Sequence, residues 1–229
     1  MDIIELTHVM YPSIPLWPKE PSLEITTLAT IKKDKYLLKK ISFNEHHGTH
    51  FGVPAHFIAG GITAEMIPPE NLVAPGVVLD IQKSCSNNKD YALTVKDIIA
   101  WEAEYGCIPS RSYVLACTGW SKKWTDHSKY FGFSHDGSMH FPGYSEKAVI
   151  FLIEERKCLG LGIDTYGIDP GVDNEFRSNY ALFKRGGYHL ENLTNLYLLP
   201  ARDFTLFIGL IPIAGSSGSP ARVIAQIGK

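Results

Sequence analysis

The 229-residue chain lacks the marks of several common protein classes. It has no basic excess: 22 lysines and arginines stand against 24 acidic residues, giving a net charge of -2. A nucleic-acid partner is therefore not expected, because such surfaces are built on concentrated positive charge. Its longest apolar runs, such as 204–214, fall well short of a membrane span, so no membrane partner is expected either. The four cysteines, Cys85, Cys107, Cys117 and Cys158, form no CxxC pair and no zinc-ribbon spacing. They read as free, mostly buried thiols of a reducing compartment. Cys117, placed before Thr118-Gly119 at the end of an apolar run, reads as core rather than as a nucleophile. The opening MDIIELTHVM is acidic where a secretory leader is positive, so a cytoplasmic protein is expected. GSSGSP carries no Gly-Lys-Ser/Thr, which argues against a phosphate loop. Asp164, Asp169 and Asp173 lack EF-hand spacing and read as a structural loop, and Arg222 of SPAR reads as anchoring the GSSGSP loop rather than binding substrate.

Apolar material is not short: 45% of residues are hydrophobic, enough for a sizeable core. No repeat and no polar linker divides the chain, and one domain over 1–229 is expected. Pro12, Pro15, Pro18 and Pro21 make the first twenty residues an extended, turn-rich lead-in. Strands are expected at 25–31, 76–81, 112–117, 159–163, 204–211 and 223–227, with another over 39–46, half-buried and ending at His46. Thr94 caps a predicted helix over 95–105 that Gly106 ends, and Ser145 starts another reaching about Lys157. Strands interleaved with a few helices define an α/β protein.

Of nine histidines, four crowd into EHHGTHFGVPAHF: His46, His47, His50 and His56. Imidazole is the commonest metal ligand and the usual general base. Two imidazoles four residues apart across a tight turn can converge on one ion, so the cluster points to metal or acid–base chemistry. The blander reading is a set of surface histidines, with His47 at the surface or behind the site.

The segment resembles the signature H-x-G-T-H-x-D-x-P-x-H of the cyclase/kynurenine-formamidase family, with His46, Gly48, Thr49, His50, Pro54 and His56 in register. IIELTHVMYPSIPLWP, TGWSKKW (118–124), FPGYSEKA (141–148), GIDTYGIDPG (162–171), ENLTNL (191–196) and GSPARVIA (218–225) resemble further family segments in the same order. The resemblance implies a swivelling β/β/α fold, with a central mixed, barrel-like sheet and flanking helices, in a homodimer or homotetramer. It also implies hydrolysis of small amides such as N-formylkynurenine or cyclic amides such as isatin, with one or two zinc or manganese ions.

By that resemblance His46 and His50 are metal ligands and His56 is the general acid–base. Glu191 matches the family's later glutamate. Two ligand positions depart: Gly52 stands for the motif aspartate, and Asn179 for a histidine twelve residues before the glutamate. One remaining carboxylate does not support two adjacent divalent ions. A single ion on His46, His50 and Glu191 is expected, with His56 and Glu191 catalytic. Asn179, Phe51, Trp17 and Trp120 are candidate substrate-binding residues. His8 and His189 read as structural, although His189 shares a strand face with Glu191. Two other readings follow from the lost ligands: a metal-free cyclase, dehydratase or lyase using His56 and Glu191, and a non-catalytic small-molecule or partner-binding relative.

Overall fold

The structure, a computed structural model, describes residues 2–228. Twelve strands run in chain order as β1 (Asp2–Glu5), β2 (Glu24–Ala29), β3 (Leu38–Ser42), β4 (His50–Gly52), β5 (Val73–Asp80), β6 (Ala92–Leu93), β7 (Tyr113–Cys117), β8 (Gly143–Tyr144), β9 (Gly160–Ile163), β10 (Tyr188–Glu191), β11 (Phe204–Leu210) and β12 (Gly218–Ile227). The α-helices are α1 (Ile31–Asp34), α2 (Gln82–Asn87), α3 (Val95–Tyr105), α4 (His127–Phe131), α5 (Glu146–Glu154) and α6 (Arg177–Phe183).

Seven strands close on themselves in the order β12-β11-β5-β7-β9-β10-β4, with β4 returning to pair with β12; β1 adds to β12 outside the ring. The pairs β5–β7, β7–β9 and β9–β10 are parallel and the others antiparallel. The ten-residue β12 makes closure possible. Gly218 to Pro220 pair with β4, and the remainder pairs with β11.

Alternation along the strands separates two cores. On β7, Tyr113, Leu115 and Cys117 face the ring interior with Phe51, Leu190, Leu206 and Val223. Val114 and Ala116 face outward, where Ile98 of α3, Leu152 of α5 and Leu182 of α6 cover them. The α3 terminus follows its sequence signals closely. Thr94 and Asp97 form a reciprocal capping box, and Gly106 leaves the helix at φ 84°. Cys117 lies in the interior core, where burial raises its thiol pKa, as expected of a packing residue.

The segment expected as a half-buried strand over 39–46 is different. β3 stops at Ser42, is exposed throughout, and pairs only with β2 in a two-stranded ribbon. Its alternating residues serve no core. His46 consequently lies in the turn between β3 and β4. No helix among the described residues is long and apolar enough to cross a membrane.

Candidate active site

The site is built where β4 closes the ring. β4 lies between β10 and β12, and its register pairs His50 with Glu191, and Gly52 with both His189 and Gly218. One face therefore carries His50, Gly52, His189 and Glu191, while Phe51 and Leu190 point into the core. Gly48, at φ 65°, reverses the chain just before β4 and sets His46 beside this face. After β4, the single 3-10 turn Pro54–His56 returns His56 to the same side.

The four imidazoles meet there. His46 stacks on His56 with centroids 3.8 Å apart, and stands edge-on to His50 at 5.0 Å. His50 and His189 are 5.5 Å apart, also edge-on. His46, His50 and His189 each offer a ligand nitrogen, all within 4.8 Å of one another; no other trio of this kind occurs among the described residues.

Hydrogen bonding fixes which nitrogen each ring presents. Ser217 Oγ donates to Glu45 Oε1 and so accepts from His46 Nε2 at 3.0 Å. His50 Nδ1 donates to the Gly48 carbonyl at 2.9 Å. His189 Nδ1 donates to Asn179 Oδ1 at 3.0 Å, and Asn179 is oriented because its Nδ2 donates to Asp169 at 2.7 Å. Three nitrogens remain buried with no hydrogen-bond partner: His46 Nδ1, His50 Nε2 and His189 Nε2. Unprotonated imidazole nitrogens, each ring held by its other nitrogen, are the donor set a divalent transition metal requires. The residues fit such an ion.

Burial pushes the pKa of His46 and His189 well below the ordinary value, and repulsion from His50 and the neighbouring rings adds to it. His56 keeps an exposed edge, but burial of the rest of its ring and repulsion from His50 lower its pKa too. Both effects disfavour the protonated form of these three rings and leave their lone pairs to a cation. Glu191 brings the negative charge. Its Oε1 accepts from Ile168 N–H at 2.8 Å, and its Oε2 lies 3.1 Å from His50 Nε2.

Of the residues expected at the site, His46, His50, His56, Glu191, Asn179 and Trp17 line one cavity of about 230 Å3. Two do not. Phe51 is fully buried in the ring interior, between Tyr188 at 5.2 Å and Tyr113 at 6.3 Å. Trp120 is 5% exposed, packs in an aromatic cluster with Trp124, Tyr130 and Phe131, and donates its indole N–H to the Tyr130 carbonyl. The walls the cavity does have are Trp17, Phe57, Phe141, Tyr166 and Phe176. His47 is fully buried behind the site, with Nε2 3.3 Å from Glu20 Oε2, and is not a surface residue. Arg222, in β12, bonds Glu5 of β1 and not the GSSGSP loop. Asp164 is structural, receiving Thr118 N–H, Thr118 O–H and Gly119 N–H.

The participant missed in the sequence is His189. Its signal was its spacing of two from Glu191, which places both on one face of a strand. What concealed it was the lack of any local sign that β10 lies against β4. Ser217, Glu45 and Asp169 were also missed, because their roles depend on contacts across 171, 172 and 10 residues respectively.

The family model described as "Putative cyclase" matches residues 4–170. The isatin hydrolase of Roseibium aggregatum is 29% identical over 247 residues, covering 100% of this chain and 93% of that protein. A kynurenine formamidase of Bacillus cereus is 21% identical over 227 residues, covering 97% and 96%. Among solved structures, isatin hydrolase A from Labrenzia aggregata bound to benzyl benzoate superposes with a TM-score of 0.93 at 34% identity, over 100% of this chain and 94% of that one. An isatin hydrolase bound to the product analogue thioisatinate gives 0.94 at 28% identity, over 100% and 93%. The chain belongs to the cyclase family, and it is an enzyme of the hydrolase type.

Proposed function

We propose that this chain hydrolyses a carbon–nitrogen bond in a small, flat amide or cyclic amide, using one divalent metal ion and His56 as general base. The observation that carries this reading is the convergence of His46, His50, His56 and Glu191 at one end of an aromatic-walled cavity. At about 230 Å3 the cavity is at the small end for ligand pockets and suits a molecule of one or two rings, with Trp17 and Phe176 offering faces for it. The isatin hydrolases and kynurenine formamidase above suggest isatin-type lactams and aryl formamides as first substrates.

His46 and His50 would hold the ion, with the Glu191 carboxylate beside it to offset its charge. When bound, a zinc or manganese ion supplies Lewis acidity toward the substrate carbonyl. His56 does the proton work. It takes a proton from the attacking water as the carbon–oxygen bond forms, and returns it to the leaving nitrogen as the carbon–nitrogen bond breaks. The products are a carboxylic acid and an amine, both carried on one molecule when the bond broken lies in a ring. The depressed basicity of His56 suits both halves, because it keeps the ring unprotonated before attack and a willing donor afterwards. Trp17, with Asn179 behind the site, completes the substrate end.

We also propose a cytoplasmic homo-oligomer, supported by cysteines that are all free thiols and by a ribbon that leaves Leu28 and Ile41 more than half exposed.

The test is hydrolysis of isatin and N-formylkynurenine by zinc- or manganese-loaded protein, with loss on chelation and recovery on metal return. Full activity after exhaustive chelation would move the chemistry to metal-free acid–base catalysis.

A further inference from the structure

We infer that His189 is the third ligand of an all-imidazole metal site, standing in room that Gly52 leaves open, with Asn179 as its positioning residue. The inference rests on the metal-dependent reading above and says which atoms make the site.

Gly52 and His189 are direct cross-strand partners. A Cβ on residue 52 would lie 1.9 Å from His189 Nε2 and 2.4 Å from Cδ2. The imidazole thus stands where a side chain of residue 52 would begin, and every residue except glycine excludes it. Gly52 is not among the positive-φ glycines, so no backbone need accounts for it. Close approach by the ring does.

His189 is also aimed. Asp169 holds Asn179 through its Nδ2 at 2.7 Å, and His189 Nδ1–H faces Asn179 Oδ1 at 3.0 Å and Glu191 Oε1 at 3.1 Å. That chain leaves Nε2 as a bare lone pair, buried and without a partner, in the same space as the bare nitrogens of His46 and His50. A core histidine kept for packing would leave that acceptor unsatisfied, which costs free energy. A cation bound by all three nitrogens removes the deficit at once. Gly52 and Asn179 thereby acquire one joint explanation. The first admits the ring and the second orients it.

The donor set then has metal chemistry of its own. Three imidazoles favour zinc, nickel or copper, whereas carboxylate and water oxygens favour manganese and magnesium. Zinc should be held in preference to manganese, with Glu191 as the adjacent countercharge.

X-ray absorption at the zinc edge counts imidazoles, and competition with a chromophoric chelator gives zinc affinity; neither needs a substrate. Wild-type protein should show three imidazoles on one zinc per chain. His189→Ala should show two, with affinity falling by more than the roughly 10–100-fold typical of losing an outer-shell partner. Asn179→Ala should keep three and lose about 10–100-fold. Since His189→Ala empties buried space, Gly52→Asp/His189→Ala serves as the second variant. It places a carboxylate in the vacated room and should recover an ion on two imidazoles, with preference moved toward manganese. Only two imidazoles in the wild type, unchanged affinity in His189→Ala, or no ion bound under either supply overturns the inference. An ion held by two imidazoles and Glu191 would sink it and leave the hydrolase reading standing. Three imidazoles in a protein that opens no amide or lactam would do the reverse.

Discussion

His46 and His56 stack face to face, 3.8 Å apart and 24° from parallel. One ring has its Nε2 engaged by Ser217, while the other keeps an edge open to the cavity mouth. In the proposed mechanism ligand and base are thus in contact but have separate tasks. His56→Ala should lower kcat/KM on a confirmed substrate by about 10²–10⁴-fold, the usual worth of a positioned general base. Zinc affinity should hardly move. Turnover that survives the substitution would remove His56 from the chemistry.

Phe51 adjoins His50 in sequence but packs away from it. Its ring is fully buried against Tyr113 and Tyr188. Phe51→Ala is expected to cost about 3–5 kcal/mol of stability through the cavity it leaves. In protein that remains folded, KM should change little. Urea denaturation beside steady-state kinetics separates the two effects. A raised KM with unchanged stability would return Phe51 to the substrate site.

His8 stacks on Trp124 with centroids 4.1 Å apart, and burial lowers its pKa to about 4. In the unfolded chain it titrates near the ordinary 6.5. Between those values the unfolded state binds the proton and the folded state does not, so this residue's contribution to stability falls as pH falls from 6.5 toward 4. His8→Phe keeps an aromatic partner for Trp124 and removes the titration. Melting temperature measured against pH should show the variant gaining on the wild type across that window, with a constant gap above it. A gap that does not widen on acidification would contradict the burial argument.

The ribbon of β2 and β3 exposes Leu28 and Ile41, at 58% and 54%. Light scattering should find the wild type as a dimer or tetramer, and Leu28→Asp/Ile41→Asp should shift it toward monomer with the fold intact. A monomeric wild type would show that the ribbon serves some other purpose.

The legible and illegible parts of the sequence divide along a physical line. β5, β7, β9 and β11 were legible because each is a compact apolar run that pairs within the ring, and α3 because its capping residues act locally. His46, His50 and His56 were legible as a group because one turn assembles them. β3 misled because alternation signals a buried face only when another layer covers it, and nothing does. β4, three residues long, has too few positions to show a period. His189 and Ser217 belong to the site only through strand pairing, which has no local signature. Trp120 and Phe51 misled for a shared reason: nearness to a motif along the chain says nothing about which side of a strand or loop a ring takes.

The brevity of β4 has a consequence for how such an enzyme changes over time. Its three residues have no spare capacity: His50 faces the cavity, Phe51 fills the interior and Gly52 leaves room for the ring of the residue opposite. Both of its edges are occupied, by β10 and β12. A side chain at residue 52 meets the His189 ring at once, so a change at this seam calls for a matching change on the facing strand.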